Sequence, residues 1–229
     1  MSVCFFHSSA KTSGRNEGGR AALENEYDSL YNENGLKTID KKASRQLFGE
    51  GKDTTGIATK KILFFTHATQ FGGAEKSLLD LVQRIDRSRW EARILFLSQG
   101  PLADAFENAG FGVHIIEAPD LILDTRRNQF FTSGNIKDSI ERARLVRPLV
   151  RAVADYTAQT GASLIYTNST KAHIIGGLAG RKAKIPVLWH VRDYFTSRKL
   201  QLFYYWVSRF TSKCIICNSK FVAGQFPKH

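Results

Sequence analysis

From Lys61 onward, short apolar runs alternate with amphipathic stretches. The runs are rich in Ile, Leu, Val and Phe, as in strands that are buried on both faces of a parallel sheet. Six strands are predicted, at 61–65, 92–97, 113–116, 163–166, 186–190 and 214–217. Helices are predicted between them, including 102–109, 136–160 and 171–182. This alternation indicates an α/β protein with a parallel sheet covered by helices on both faces.

The first 60 residues have no sustained apolar period and are rich in Gly, Ser, Asn, Glu and Lys. We therefore expect residues 1–60 to be a largely disordered extension and residues 61–229 to form the folded domain. The apolar start of the chain is too short for a signal peptide or a membrane-spanning helix. A second apolar stretch, residues 200–210, is interrupted by Arg209. No spanning segment is predicted.

Positive charge is concentrated in the predicted domain. The chain has 33 Lys and Arg against 21 Asp and Glu, for a net charge of +12. The electrostatic field of such a basic protein attracts anions such as nucleic acid, acidic lipid headgroups or phosphorylated small molecules. The sequence has neither an RNA- or DNA-binding fingerprint nor zinc-finger spacing, so nucleic acid is not the predicted partner.

The cysteine pattern does not indicate a disulfide framework, since Cys4, Cys214 and Cys217 are the three cysteines of the chain. A reducing, cytoplasmic location is expected. Cys214 and Cys217 could be a redox or metal-binding pair. However, residues three apart in a strand point to opposite faces, so we interpret both as small buried side chains.

Ligands of parallel α/β sheets bind beyond the carboxyl ends of the strands. Gly72 and Gly73 follow the first predicted strand at a turn into a helix. Adjacent glycines there let the backbone approach a ligand, and the N–H groups of a helix start attract phosphate. A tight turn that needs glycine is the alternative. Neither a dinucleotide-binding fingerprint nor a Walker A loop is present.

Polar side chains also follow two later strands. Asn168, Ser169 and Thr170 follow the fourth strand and could cap the next helix or bind sugar hydroxyls. His190 ends the fifth strand and is expected to point into the crevice, although a structural histidine is the alternative. Arg192 could hold an anion there, and Asp193 could orient either neighbour.

Three segments then carry a family resemblance. They are THATQFGGAEKSLLDL, LIYTNSTKAHIIGGLAGRKAKIPVLWHVRD and CIICNSKFVAGQF. In order and spacing they resemble successive signatures of the N-terminal domain of family 4 retaining glycosyltransferases. The resemblance covers residues 61–226. It implies a Rossmann-like, three-layer parallel sheet that forms the N-terminal half of a GT-B glycosyltransferase.

The resemblance also implies a function. In such enzymes a nucleotide-sugar binds mainly to the C-terminal domain, and a glycan or lipid-linked acceptor binds mainly to the N-terminal one. Transfer occurs with retention and without a cofactor or an obligatory metal ion. Gly72 and Gly73 would lie near the donor, and His190 would line the reacting centre as the catalytic residue. The candidate acceptor-binding residues are Asn168, Ser169, Thr170, Arg192 and Asp193.

The family's C-terminal glutamate pair is expected well past Phe226, whereas this sequence ends at His229. The resemblance therefore implies that the chain alone is inactive. It would be a fragment or would pair with a separate donor domain.

Two other interpretations of the function remain open. One is a non-catalytic module that binds a glycan or an anionic surface. The other, compatible with either function, is a peripheral protein at the inner face of a membrane. Arg144, Arg147 and Arg151 share one face of the long predicted helix and could contact anionic lipid, or could simply be solvated.

Overall fold

The protein is a parallel α/β sheet structure, described here by a computed structural model for residues 2–5, 59–123 and 136–226. Seven strands pair in the order β1-β7-β6-β5-β2-β3-β4, and every pair is parallel. The predicted Rossmann-like α/β class is confirmed. The strands are β1 Ser2–Phe5, β2 Lys60–Thr66, β3 Trp90–Phe96, β4 Val113–Ile115, β5 Ala162–Thr167, β6 Val187–Val191 and β7 Cys214–Cys217.

The helices connect these strands on both faces of the sheet. The predicted helices are present, and their ends agree with the predictions to within a residue. The sequence analysis did not assign the short helices near residues 120 and 220, nor the helix that contains the apolar stretch 200–210. The helices are α1 Gly73–Gln83, α2 Pro101–Asn108, α3 Asp120–Leu123, α4 Ile136–Thr160, α5 Thr170–Ala183, α6 Arg198–Thr211 and α7 Lys220–Ala223.

Strand β1 lies inside the segment for which no regular structure was predicted. Its residues pair in register with β7, from Ser2 opposite Cys214 to Phe5 opposite Cys217. The apolar start of the chain is too short to show a period, but it is long enough for one edge strand. Residues 6–58 lie outside the described residues, so the domain boundary near residue 60 stays a prediction.

Two hydrophobic clusters cover the two faces of the sheet. One packs α4, α5 and α6 against residues such as Leu63, Ile165 and Trp189. The other packs α1 and α2 against residues such as Phe64. Cys214 and Cys217 are both buried and belong to opposite clusters, as their spacing predicted.

Helix α5 lies very close to the sheet and to α6 because three of its residues lack a side chain. A Cβ at Gly176 would lie 2.7 Å from Thr167 Cγ2, and one at Gly180 would lie 2.9 Å from the Ile185 carbonyl oxygen. A Cβ at Gly177 would meet Thr211 of α6 at 2.7 Å. Gly176 and Gly180 thus let α5 pack closely against the end of β5 and the start of β6, and Gly177 lets it pack against α6.

Within the described residues, the helices are all too short or too polar to cross a membrane.

Candidate functional site

The sheet order brings together loops that are far apart in sequence. Strands β2, β5 and β6 are neighbours, and their carboxyl ends lie at one edge of the sheet. The backbone N–H of Asn168 donates to the Phe65 carbonyl at 3.1 Å, which joins the ends of β5 and β2. The loops after these three strands therefore meet, as the position of polar residues at the strand ends predicted.

A cavity of about 350 Å³ opens where these loops meet. Six of the residues predicted as site residues line it, and four others join them. The predicted ones are Gly73, Asn168, Ser169, Thr170, Arg192 and Asp193, and the others are His67, Ala74, Glu75 and Lys171.

Gly72 instead lines an adjoining cavity of about 500 Å³, which shares His67 and Glu75 with the first. Gly72 is the N-cap of α1, with an extended φ of −128°. Positive φ among the described glycines occurs at Gly110 and Gly161, so the turn at Gly72 and Gly73 does not need glycine for its backbone conformation. At Gly73 a Cβ would meet nothing within 4 Å. The absence of a side chain there leaves the cavity open.

The Ser169 hydroxyl does not cap α5, although Ser169 occupies the N-cap position. It lies 2.6 Å from Nδ1 of His67 and accepts from the His67 backbone N–H at 3.2 Å. Thr66 Oγ1 approaches it at 3.4 Å. The capping interpretation is therefore wrong for this side chain, because the Ser169 hydroxyl bonds to His67 instead of to the backbone N–H groups of α5.

Asn168 connects the loop after β5 to helix α1. Its Nδ2 donates to the Ala74 carbonyl at 3.2 Å. Among the described residues, no donor lies within hydrogen-bonding distance of its buried Oδ1. A buried acceptor without a donor costs about 1–3 kcal/mol, so a hydroxyl or water that reached this oxygen would be stabilising.

His190 lies beneath the cavity rather than in it. The side chain is 2% exposed and points toward the α1 face of the sheet, where its ring packs edge-on against Tyr166. This differs from the expectation that it points into the crevice. The reason is that β6 continues to Val191, so His190 is still a core-facing strand position.

Two side chains contact Nδ1 of His190. Arg192 Nη2 lies 3.3 Å from this nitrogen, and the Tyr166 hydroxyl contacts it as well. A guanidinium can only donate, so a hydrogen bond with Arg192 requires that Nδ1 accepts. Burial, with the charge of Arg192, holds the pKa of His190 well below its usual value. The ring is therefore neutral.

Arg192 joins this buried pair to the cavity. Its Nη2 donates to Ser77 Oγ at 3.0 Å, which ties the end of β6 to α1. Burial lowers the pKa of Arg192, and the neighbouring Tyr166, Glu75 and Asp193 oppose that change. Arg192 is thus a half-buried cation whose orientation is determined by contacts on two sides.

The cavity has features that favour an anion. The N-termini of α1 and α5 both begin at its wall, at Gly73 and Thr170. The partial positive charge of two helix N-termini adds to that of Arg192. Lys171 also lines the cavity and donates through Nζ to the Leu123 carbonyl. Glu75 and Asp193 also line the cavity, and their carboxylates can accept hydrogen bonds.

His173 supports the site from the other face of the sheet. Its ring stacks on Trp189 with centroids 4.9 Å apart, and its Nδ1 lies 2.7 Å from Thr167 Oγ1. Burial lowers the pKa of His173 to about 3. The sequence analysis assigned it no role, although its position in the first turn after β5 could have indicated a buried contact with the sheet.

In the described parts of the chain, His, Cys, Asp and Glu side chains do not form a group of three or more that could hold a metal ion. The expectation that no metal is required stays a prediction.

The comparison with protein families decides the identity of this domain. The profile of Glycosyltransferase Family 4 matches residues 71–229, which is more than half of the chain. The chain belongs to Glycosyltransferase Family 4. The match includes every predicted site residue, from Gly72 to Asp193. The comparison with curated protein sequences gives no match.

Solved structures of low sequence identity share the fold. Anabaena HepE, in complex with UDP and glucose, is 22% identical with a TM-score of 0.51, over 73% of this chain and 40% of that one. Acinetobacter baumannii MurG is 17% identical with a TM-score of 0.51, over 74% and 43%. A putative UDP-N-acetylglucosamine 2-epimerase from Listeria monocytogenes is 10% identical with a TM-score of 0.50, over 74% and 42%.

The chain therefore spans less than half the length of these structural neighbours. HepE and MurG share the parallel α/β fold of this chain. Since the epimerase shares the fold as well, the fold alone does not decide the reaction.

Proposed function

We propose that this chain supplies the acceptor-side domain of a retaining glycosyltransferase that moves a hexose from a nucleotide-sugar to a glycan or lipid-linked acceptor. A single observation carries the proposal. In a chain of Glycosyltransferase Family 4, six of the eight residues predicted for the site line one cavity between two helix N-termini. HepE, which shares the fold, was solved with UDP and with UDP-glucose. A nucleotide diphosphate is the kind of anion that such a cavity favours.

The donor would approach α1 and the acceptor would bind beside it. The open space at Gly73 admits the diphosphate or the sugar to the N–H groups of α1. Asn168, Ser169 and Thr170 offer amide and hydroxyl groups for acceptor hydroxyls, and Asp193 adds a carboxylate. We expect the reaction to need neither a cofactor nor a metal ion, and to take place on the cytoplasmic side of the membrane.

His190 would act through Arg192 in this arrangement. A neutral, buried imidazole that accepts from the guanidinium keeps Arg192 at one orientation beside the cavity. Electrostatic groups that are fixed before the reaction stabilise developing charge most strongly. His190 is therefore proposed as a positioning residue, with Tyr166 as the second contact on the same nitrogen.

The test joins residues 1–229 to the C-terminal domain of a family member that uses a known donor. We expect the chain alone to release no nucleotide and the fusion to transfer sugar with retained anomeric configuration, as read by NMR of the product. Arg192→Gln should lower kcat in the fusion by at least about tenfold. His114→Gln, which changes an exposed histidine on β4, is the control and should not change kcat.

A double-mutant cycle separates positioning from general destabilisation. His190→Gln and Tyr166→Phe should each lower kcat, and the double variant should lower it little further, because both act through Arg192. Additive losses would contradict the positioning role. A fusion that binds acceptor but never transfers sugar would favour the non-catalytic binding module instead.

A further inference from the structure

Helix α6 presents an aromatic face that the described structure leaves uncovered. Leu202, Trp206 and Phe210 are spaced four residues apart and are 49%, 54% and 62% exposed. The opposite face, which includes Leu200 and Tyr204, is buried against the sheet. Large apolar side chains that are half exposed and aligned along one helix face mark an interaction surface.

Helix α5 extends this surface. Leu178 is 39% exposed and follows Gly177, the residue at which α5 contacts Thr211 of α6. Arg181 Nη1 donates to the Phe210 carbonyl at 2.8 Å, so its cationic head lies against the end of α6. We define the α6 patch by its apolar and basic members, which are Leu178, Leu202, Trp206, Phe210, Arg181, Arg209 and Lys213.

Basic residues dominate the segment of the chain that contains the α6 patch. Residues 156–229 contain eleven Lys and Arg and a single acidic residue, Asp193. Asp193 lies at the cavity, on the carboxyl edge of the sheet. Helices α5 and α6 contain no acidic residue. Most of the net charge of the protein is therefore on the part of the chain that carries the aromatic face.

We propose that the α6 patch docks the protein on an anionic lipid surface. Trp and Phe partition into the interface between headgroups and acyl chains, and a basic rim adds attraction to acidic headgroups. A second copy of the chain is a poorer fit, since it would bring the same positive charge against itself. The proposal does not rest on glycosyl transfer, because the cavity lies at the sheet edge and not on this face.

The three arginines on one face of α4 would contact lipid more weakly than the α6 patch. Arg144, Arg147 and Arg151 are exposed as predicted. Among the described side chains of α4, however, none is an exposed large apolar group that could enter the interface. Helix α4 packs on α5 in the same helical layer, so its arginines would add charge beside the α6 patch rather than insert.

The position of Trp206 allows a direct test with the 229-residue protein. Trp189 is fully buried and Trp90 is half buried, so Trp206 is the most exposed of the three tryptophans. On vesicles of phosphatidylglycerol and phosphatidylcholine, its emission should shift to the blue and be quenched by brominated acyl chains. Vesicles of phosphatidylcholine alone should give neither effect. Trp206→Phe should remove the signal and keep co-sedimentation with the vesicles.

Variants of the α6 patch test its contribution to vesicle binding. Trp206→Gln combined with Phe210→Gln should lower partition onto anionic vesicles by at least about tenfold, and so should Arg209→Glu combined with Lys213→Glu. The matched controls are Phe221→Gln, an exposed aromatic on α7, and Arg84→Glu combined with Arg89→Glu. Circular dichroism checks that every variant is folded.

Three outcomes would overturn the proposal. One is the absence of binding to anionic vesicles by the folded protein, and another is equal binding by patch and control variants. The third is self-association that the Trp206→Gln, Phe210→Gln variant abolishes in sedimentation, since this would assign the patch to a second copy. A failure here would leave the nucleotide-sugar proposal standing, because vesicle binding is measured without donor or acceptor.

Discussion

His67 Nδ1 lies 2.6 Å from the Ser169 hydroxyl, although the two residues are 102 positions apart in sequence. The contact joins the loop after β2 to the first turn of α5, and both side chains line the same cavity. It thus links the part of the site proposed for the donor with the part proposed for the acceptor.

Ser169→Ala should lower the free energy of unfolding by about 1–2 kcal/mol, because His67 loses a partner for its ring and for its backbone N–H. Urea unfolding at pH 7 measures this. Ser98→Ala is the control, since Ser98 lines the adjoining cavity and makes one long contact, at 3.4 Å to the Gln99 carbonyl. Equal losses for both variants would contradict the linking role of Ser169.

Buried histidine predicts a loss of stability in acid. The pKa of His173 is about 3 in the folded protein against 6.5 as its ordinary value, so below pH 6.5 the unfolded chain binds a proton that the folded one does not. Stability should therefore be full above pH 6.5 and should fall toward pH 3, by up to about 1.4 kcal/mol per pH unit. His190 acts in the same direction.

His173→Gln should weaken this pH dependence. The variant loses the stacked ring and is less stable at pH 7, but its free energy of unfolding should fall less steeply between pH 6.5 and pH 5. Denaturant unfolding across that range measures the slope. Parallel curves for both proteins would show that His173 is not the group that takes up the proton.

Two glycines should respond in opposite ways to alanine. Gly73→Ala has open space for its Cβ and sits in the first turn of α1, so stability should stay the same or rise. Gly180→Ala would press a Cβ onto Val187 and the Ile185 carbonyl, and should cost about 1–3 kcal/mol. Thermal unfolding distinguishes them.

Gly73 should matter for ligand binding instead. In the fused enzyme, Gly73→Val should weaken donor affinity while the domain stays folded, because the side chain would occupy the cavity beside the α1 N–H groups. Isothermal titration with the donor nucleotide measures this. Unchanged affinity would contradict the proposed donor position.

Removal of residues 1–58 tests the predicted domain boundary. The remaining chain should still unfold cooperatively, because the described members of both hydrophobic clusters lie in residues 62–226. The deletion also removes β1 and leaves β7 as an edge strand. An exposed edge favours pairing with other chains, so we expect some self-association, which sedimentation measures. Loss of cooperative unfolding would show that the boundary is wrong.

The sequence was sufficient to predict which loops meet at one edge of the sheet. Apolar runs separated by helical periods indicate parallel strands, and the carboxyl ends of parallel strands share one edge. This is why Gly73, Asn168 and Arg192 could be assigned to one site before their distances were known. Strand β1 could not be predicted, because four residues are too few to show a period.

The partners of individual side chains required the tertiary structure. The sequence predicts that Ser169 could cap a helix, but its hydroxyl contacts His67, which lies in another loop. The sequence predicts that His190 ends its strand, but β6 continues to Val191, and the His190 ring is buried in the core.

The amino-acid sequence by itself determined the α/β class, the order of strands and helices along the chain, and the residues at the strand ends, because these follow from local apolar periodicity. Only the tertiary structure decided that His190 contacts Arg192 and that α6 has an aromatic face which the other described residues leave exposed. Both depend on which surfaces distant segments bury against one another. Local periodicity does not show which distant segments pack together, since that depends on the folded chain and not on the residues next to each other in sequence.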